Sequence, residues 1–213
     1  MAHIAGMNPS DRPDYRRLED LCIETPGFVP NSVLMMLRVP GLAQVLGAVM
    51  GAGTVGKGFR RLIAHMAARA AGCQYCQAHT AAGSQLHGVS ADKLDALWGF
   101  ERSALFNEAE RVALELALAA GQVPNAVDDA LFLLLRAYWT EEQILELVGV
   151  ISLFGFSTAG MTPSRRRWKS TRWTWRSATW RRMGGRPANT KPDSTPDWSP
   201  THAPQIHRPV YLP

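Results

Sequence analysis

Apolar residues recur at helical spacing from Pro30 to Phe154. Phe59, Leu62, Ile63, Met66 and Ala70 fall on one face of a 3.6-residue period, and Gly72 follows where a left-handed C-terminal cap belongs. This predicts a helix over Phe59–Ala70 that ends just before two cysteines, and a second helical stretch from Cys73 to about Leu86. Ser90, Asn107 and Asn125 stand as N-caps before periodic runs at Ala91–Phe100, Glu108–Ala120 and Ala126–Trp139. Thr140 with Gln143 makes a capping box before Glu141–Phe154, and Gly99, Gly121 and Gly155 mark ends. Pro30–Leu37 and Gly41–Met50 read as two shorter helices broken by Val39-Pro40. No convincing alternating strand pattern appears, so the expected fold is an all-α bundle.

The last two helices are apolar almost all round, with Leu131, Leu133, Leu134 and Leu135 in one and Ile144, Leu145, Leu147, Val148, Ile151 and Leu153 in the other. Such helices are buried between others or in a subunit interface, and an oligomer is expected. Residues 1–29 form a polar, proline-punctuated lead-in, and the longest apolar run, Leu147–Phe156, is about half of the roughly 18–20 residues that a bilayer requires. Met1-Ala2-His3-Ile4 lacks the basic-then-apolar build of a secretory signal, and Asp11, Asp14, Glu19 and Asp20 argue against a transit peptide. A cytoplasmic, reducing compartment is the expectation. Three cysteines are too few for a disulfide scaffold there.

The sharpest chemical feature is Cys73-Gln74-Tyr75-Cys76-Gln77-Ala78-His79, opening a helix after Gly72. Spacing i, i+3, i+6 stacks Cys73, Cys76 and His79 along one helix face. A thiolate at a helix N-terminus is favoured by the macrodipole, a nearby imidazole can take its proton, and a second thiol within reach can resolve a sulfenic acid. By the dipole alone, Cys73 is the favoured thiolate. Two buried free cysteines with a satisfied histidine would have the same spacing. Zinc fits less well, because three ligands from one short stretch of helix suit a tetrahedral ion poorly and Cys22 stands alone, so no metal or cofactor is expected.

These residues resemble the active-site signature of the alkylhydroperoxidase AhpD-like, or carboxymuconolactone decarboxylase, family. The likeness runs through Leu62-Ile63-Ala64 and Arg69 to Thr80, then Val89 to Lys93 with Leu97-Trp98, Phe106 to Arg111, Thr140 to Ile144, and Val150 to Phe156, covering roughly Pro30 to Phe156. It implies an AhpD-like helical bundle assembling as trimers or hexamers and a cysteine pair that reduces hydroperoxides, recharged by an external dithiol. It also implies roles: Cys76 attacks, Cys73 resolves and His79 handles the proton. Arg61 stands where the family keeps a glutamate, and His79 follows Cys76 by three residues where the family has four. His65 and Glu101 are candidate substitutes for the glutamate, each also readable as packing or as surface. Carboxymuconolactone decarboxylation is disfavoured, since that branch does not rely on a CxxC pair.

Gly51-Ala52-Gly53-Thr54-Val55-Gly56-Lys57-Gly58 imitates a phosphate-binding loop. Its chemical end fails: Gly58 replaces the Ser or Thr that would hold magnesium, and no strand ending in Asp follows. A helix–helix connection is the better reading.

Charge divides the chain. Residues 1–160 carry a net −4 and residues 161–213 a net +9, and the latter hold five of the seven tryptophans and eight of the fourteen prolines. Arg165-Arg166-Arg167-Trp168, Arg172-Trp173-Thr174-Trp175-Arg176 and Trp180-Arg181-Arg182 could stack on nucleic acid or a membrane surface. The resemblance offers another explanation. The family follows Phe-Gly-Phe with Leu-Asn-Arg-x-Asn-Asp, where this chain has Ser157 to Thr162. Read one base earlier, those codons can encode that family sequence, with the Asp forced by the single Met codon. The expectation is a frameshift near Phe156 and a disordered basic tail over 157–213 with no selected function. Three functions follow: a thiol peroxidase, a thiol–disulfide carrier or sensor without peroxide turnover, and a tail-driven nucleic-acid module, the last disfavoured.

Overall fold

The computed structural model describes residues 6–7, 29–39 and 41–161. Most of the lead-in, Cys22 and the tail from residue 162 onward, with its Trp/Arg clusters, lie outside the described residues. The described chain contains helices and no strand: α1 (Asn31–Met36), α2 (Leu42–Gly51), α3 (Lys57–Ala70), α4 (Gln74–Leu86), α5 (Ala91–Asp95) running into a 3₁₀ turn (Ala96–Gly99), α6 (Glu108–Ala120), α7 (Asp129–Tyr138) and α8 (Glu141–Met161). The all-helical expectation is met.

Helix α3 is the centre of the bundle. It packs against α4, α6 and α8, and every residue from Leu62 to Ala68 is buried. Its apolar period supplies one face, and the small residues Ala64, Ala67 and Ala68 let neighbours approach from the others. Trp139 fixes the α7–α8 corner to this centre: its indole N–H donates to the Ala109 carbonyl at 2.9 Å and its ring stacks on Phe59 at 5.7 Å.

Three predicted elements differ from the observed ones, each for a local reason. The stretch after Ser90 is α-helical only to Asp95, then tightens into a 3₁₀ turn. Leu94, Leu97 and Phe100, all buried, are spaced by three, which matches three residues per turn. Helix α7 starts at Asp129, not Ala126. Asn125 spends its side chain on the Val127 N–H in a local turn, and Asp128 is the true cap, accepting from Leu131 N–H at 3.0 Å. Helix α8 runs through Gly155 to Met161. A helix-interior glycine costs only about 1 kcal/mol, and beyond it Ser157 and Thr158 are both buried.

Burial of the two apolar helices is one-sided within the chain. Leu131, Leu135, Ile144 and Leu147 are buried, whereas Leu133 and Leu145 are 67% and 69% exposed.

The glycine-rich segment connects α2 to α3, as expected, and is held from a distance. Thr54 N–H and Oγ1 donate to Glu146 Oε1 at 2.7 and 3.1 Å, and Val55 N–H donates to Oε2 at 2.9 Å. Gly53, at φ +106°, leaves the space in which this carboxylate lies. Slight burial raises the Glu146 carboxyl, but the Thr54 and Val55 amides, the Thr54 hydroxyl and the charge of Arg60 together hold it below its ordinary value.

Candidate active site

The end of α3 builds the start of α4. Gly72, at φ +71°, lets its own N–H reach the Arg69 carbonyl at 3.0 Å and the Cys73 N–H reach the Ala68 carbonyl at 2.9 Å. These two bonds form a Schellman motif. The motif leaves Cys73 extended (φ −83°, ψ 92°) as the N-cap of α4, with its sulfur accepting the Cys76 N–H at 3.2 Å.

The predicted stacking of the cysteines is realised. Cys73 Sγ and Cys76 Sγ lie 2.6 Å apart, both buried, both free thiols. Ala68, Met35, Tyr75 and Phe154 surround them. The Cys73 thiol is pulled from 9.0 down to about 7, first by its contact with the Cys76 side chain, with the Cys76 and Tyr75 backbone amides and the Thr158 hydroxyl assisting against burial. Cys76 is pushed far up by the Cys73 side chain, by burial and by the Cys73 charge. Two thiolates cannot coexist at this separation, so the pair sheds one proton near neutrality and holds the other. At rest the charge sits on Cys73, at the helix N-terminus.

His79 lies one turn beyond Cys76, its ring 4.3 Å from that of Tyr75. Its Nδ1 meets the Tyr75 carbonyl at 2.9 Å. A carbonyl only accepts, so Nδ1 carries the proton and Nε2 is the basic atom. Burial lowers its pKa to about 4, leaving the ring neutral at pH 7.

Of the candidate substitutes for the family glutamate, the structure brings one near. His65, fully buried on α3, donates from Nδ1 toward the Gln77 carbonyl (3.1 Å) and Thr80 Oγ1 (3.0 Å), and Thr80 Oγ1 in turn donates to the Cys76 carbonyl at 2.8 Å. Burial, then the charge of Arg69, lowers His65 to about 4. It clamps α3 onto the first turn of α4. Glu101 is exposed beyond the 3₁₀ turn. Arg61 lies over Gly83, which has no side chain to obstruct it. Gly83 is seven residues along α4 from Cys76, roughly 10 Å of helix.

One polar neighbour of the pair was absent from the sequence reading. Thr158 Oγ1 on α8 lies 3.8 Å from Cys76 Sγ. Eighty-two positions separate the two residues, and no local pattern links them. Among the described residues no three His, Cys, Asp or Glu side chains cluster as metal ligands, and no helix is long and apolar enough to cross a membrane.

Comparison with known proteins places this arrangement. The model of the carboxymuconolactone decarboxylase family matches residues 40–119, from α2 through α6 and across the cysteine pair. This segment is similar to the carboxymuconolactone decarboxylase family. The uncharacterized protein YnjA of Escherichia coli strain K12 is 36% identical over 98 residues, a match covering 46% of this chain and 54% of YnjA. The chain therefore spans about half the length of that relative. Among solved structures, the debrominase Bmp8 superposes with a TM-score of 0.72 at 27% identity, over 79% of this chain and 92% of Bmp8. Bmp8 is also known as a cysteine-to-alanine variant in complex with 2,3,4-tribromopyrrole. A peroxidase-related protein of Ralstonia eutropha JMP134, described as an alkylhydroperoxidase AhpD core, superposes with a TM-score of 0.63 at 23% identity, covering 79% of this chain and 95% of that one, which supports the AhpD-like fold.

Proposed function

We propose that the protein is a thiol-dependent peroxidase in which Cys76 attacks, Cys73 resolves and His79 handles the proton. The observation that carries this reading is the buried pair of free thiols 2.6 Å apart at the N-terminus of α4, one of them drawn down toward neutrality. The Cys76 proton passes to the adjacent Cys73 sulfur, and the Cys76 thiolate then attacks the distal oxygen of a hydroperoxide. An S–O bond forms, the O–O bond breaks, and the alkoxide leaves as the alcohol after taking a proton. Cys73 then attacks the sulfenic sulfur, water departs and a disulfide forms. An external dithiol reduces it, so each turnover consumes one hydroperoxide and one dithiol. With a pKa near 4, His79 holds a proton only briefly, which suits transfer to a departing alkoxide.

The proposal extends to the assembly and setting. The exposed Leu133 and Leu145 support a homo-oligomer, trimer or hexamer, that covers this face. A cytoplasmic location suits thiols that must be kept reduced. The frameshift origin of the tail is part of the same proposal, and sequencing the gene tests it: an unbroken frame with no family-like −1 reading overturns it.

The likeness to Bmp8 favours a second reading, reductive dehalogenation. There the dithiol supplies two electrons, an aryl bromide becomes the arene with release of bromide and a proton, and the same disulfide forms. Stopped-flow turnover distinguishes the readings. Alcohol produced from an alkyl hydroperoxide, abolished by Cys76→Ser, is the expected result. Bromide released from a bromopyrrole without alcohol formation replaces it with the second reading, and a reversible dithiol potential with neither product makes the protein a redox carrier or sensor.

A further inference from the structure

Cys73 and Cys76 are only 5% and 4% exposed. Any reagent for the pair, whether a hydroperoxide, a bromopyrrole or a reducing dithiol, has to touch a sulfur, so part of the cover over the thiols has to move. Ala68 of α3, Tyr75 of α4, Phe154 of α8 and Met35 of α1 surround the pair. These four are held very differently. Helix α3 is buried from Leu62 to Ala68 and is the centre of the core, and the Tyr75 ring lies against His79 on the helix that carries the thiols. Helix α8 runs for 21 residues and packs against α2, α3, α4, α6 and α7. Helix α1 has six residues, starts without a side-chain cap and has α2 as its main packing partner. A helix that short has no stability of its own in water. Its buried Met36, with Leu37 just beyond it, joins Ala43 of α2 in a small cluster separate from the main core.

A strap from earlier in the chain fastens α1. Met7 N–H donates to the Leu34 carbonyl at 2.8 Å, and Gly6 lies so close to the same residue that a Cβ at position 6 would stand 2.7 Å from Leu34 Cβ. Only a residue without a side chain fits there. Leu34, the residue that the strap grips, directly precedes Met35. We propose that α1 is a lid over the thiol pair, closed by Met35 and latched through Leu34 by the Gly6–Met7 strap. Opening gives up one backbone hydrogen bond and the small cluster with α2, and it leaves the core around α3 intact. Local opening of this kind draws on the least protected part of a fold. The unbranched, flexible thioether of Met35 suits a plug that seats and unseats. The lid goes beyond the peroxidase reading, because it governs access to the sulfurs whichever reagent they take.

The test uses the reduced full-length chain and N-ethylmaleimide, with the adducts on Cys73 and Cys76 followed in time by peptide mapping. Gly6→Val drives a side chain into Leu34 and releases the latch far from either sulfur, and Met35→Ala removes the plug; each raises the rate of modification about tenfold. Lys93→Ala is the control. It breaks the 2.6 Å ion pair with Glu110 between α5 and α6, and so lowers overall stability without touching the lid. Its thiols react at the wild-type rate. In wild type, hydrogen exchange of the α1 amides is at least about tenfold faster than that of Leu62–Ala68. A rate unchanged from wild type in either folded lid variant overturns the proposal. So does equal acceleration in Lys93→Ala, which would mean that the thiols are reached by global unfolding, and so do α1 amides as protected as those of α3. None of these readings depends on hydroperoxide turnover, so a protein without that activity loses the peroxidase reading and keeps the lid.

Discussion

Consecutive helices of this bundle each begin beside an anion, and the two anions have different origins. Ahead of α3, the amides of Thr54 and Val55 close on the carboxylate of Glu146, sent across from α8. Ahead of α4, the amide of Cys76 closes on the sulfur of Cys73, three residues back. Both exploit the positive N-terminal end of a helix segment. The carboxylate is charged at any working pH and is chemically inert there. The thiol is poised near 7, so its charge is conditional, and a conditional charge can be spent on chemistry. The helical frame thus uses one physical device twice, for structure in one place and to set a thiol near neutrality in the other.

Replacing Glu146 is the strongest way to break the comparison. Glu146→Ala leaves the Thr54 and Val55 amides without their acceptor and is expected to cost about 2 kcal/mol, read as a lower urea midpoint. The Cys73 titration stays in place, because the two sites share no group. If the thiol shifts along with stability, the two helix starts are coupled and the division between them fails.

The pH dependence of stability separates the two anions next. Cys73 titrates near 7 when folded and near 9.0 when unfolded. Between these values the unfolded chain binds more protons, so stability rises with pH. The reduced protein gains on the order of 1–2 kcal/mol from pH 7 to 9, and Cys73→Ser loses that gain. Above pH 9 the raised Cys76 reverses the trend. The lowered Glu146 carboxyl contributes at a constant level across this window. Urea titrations at pH 7, 8 and 9 measure the slope, and a flat profile for the reduced wild type rules out the lowered thiol.

The smallest effect sharpens the picture. Gly72→Ala forces a side chain onto φ +71° and costs about 1 kcal/mol. Any loosening of the Schellman turn also frees the Cys73 cap, so the first thiol pKa moves upward, measured as slower alkylation at pH 7.

The same contrast explains what was legible in the sequence. The thiol site is local: a glycine, a cap and a three-residue spacing are all visible in Ala71 to His79, and the structure assembles them as the pattern implies. Glu146 and Thr158 meet their partners across 92 and 82 positions, and no local pattern around either points to that partner. Helix ends were misread where a local rule met a stronger tertiary one. Gly155 marked an end that packing of α8 overrode, and Asn125 was a turn residue that resembled a cap. The phosphate-loop imitation has a physical basis too, since the segment's Thr54 and Val55 amides do hold an anion beside Gly53, but one that the chain itself provides.

The capping role of Cys73 has a thermodynamic consequence for the balance between dithiol and disulfide. In the reduced protein the Cys73 sulfur is an anion that the first turn of α4 holds with its amides. Closing the disulfide turns that sulfur into a neutral, poor acceptor, and the helix loses the charge that anchors its first turn. Whatever the amides contribute to the thiolate is therefore subtracted from the oxidised form. The interaction that makes the thiol acidic therefore also biases the pair toward its dithiol form over a disulfide.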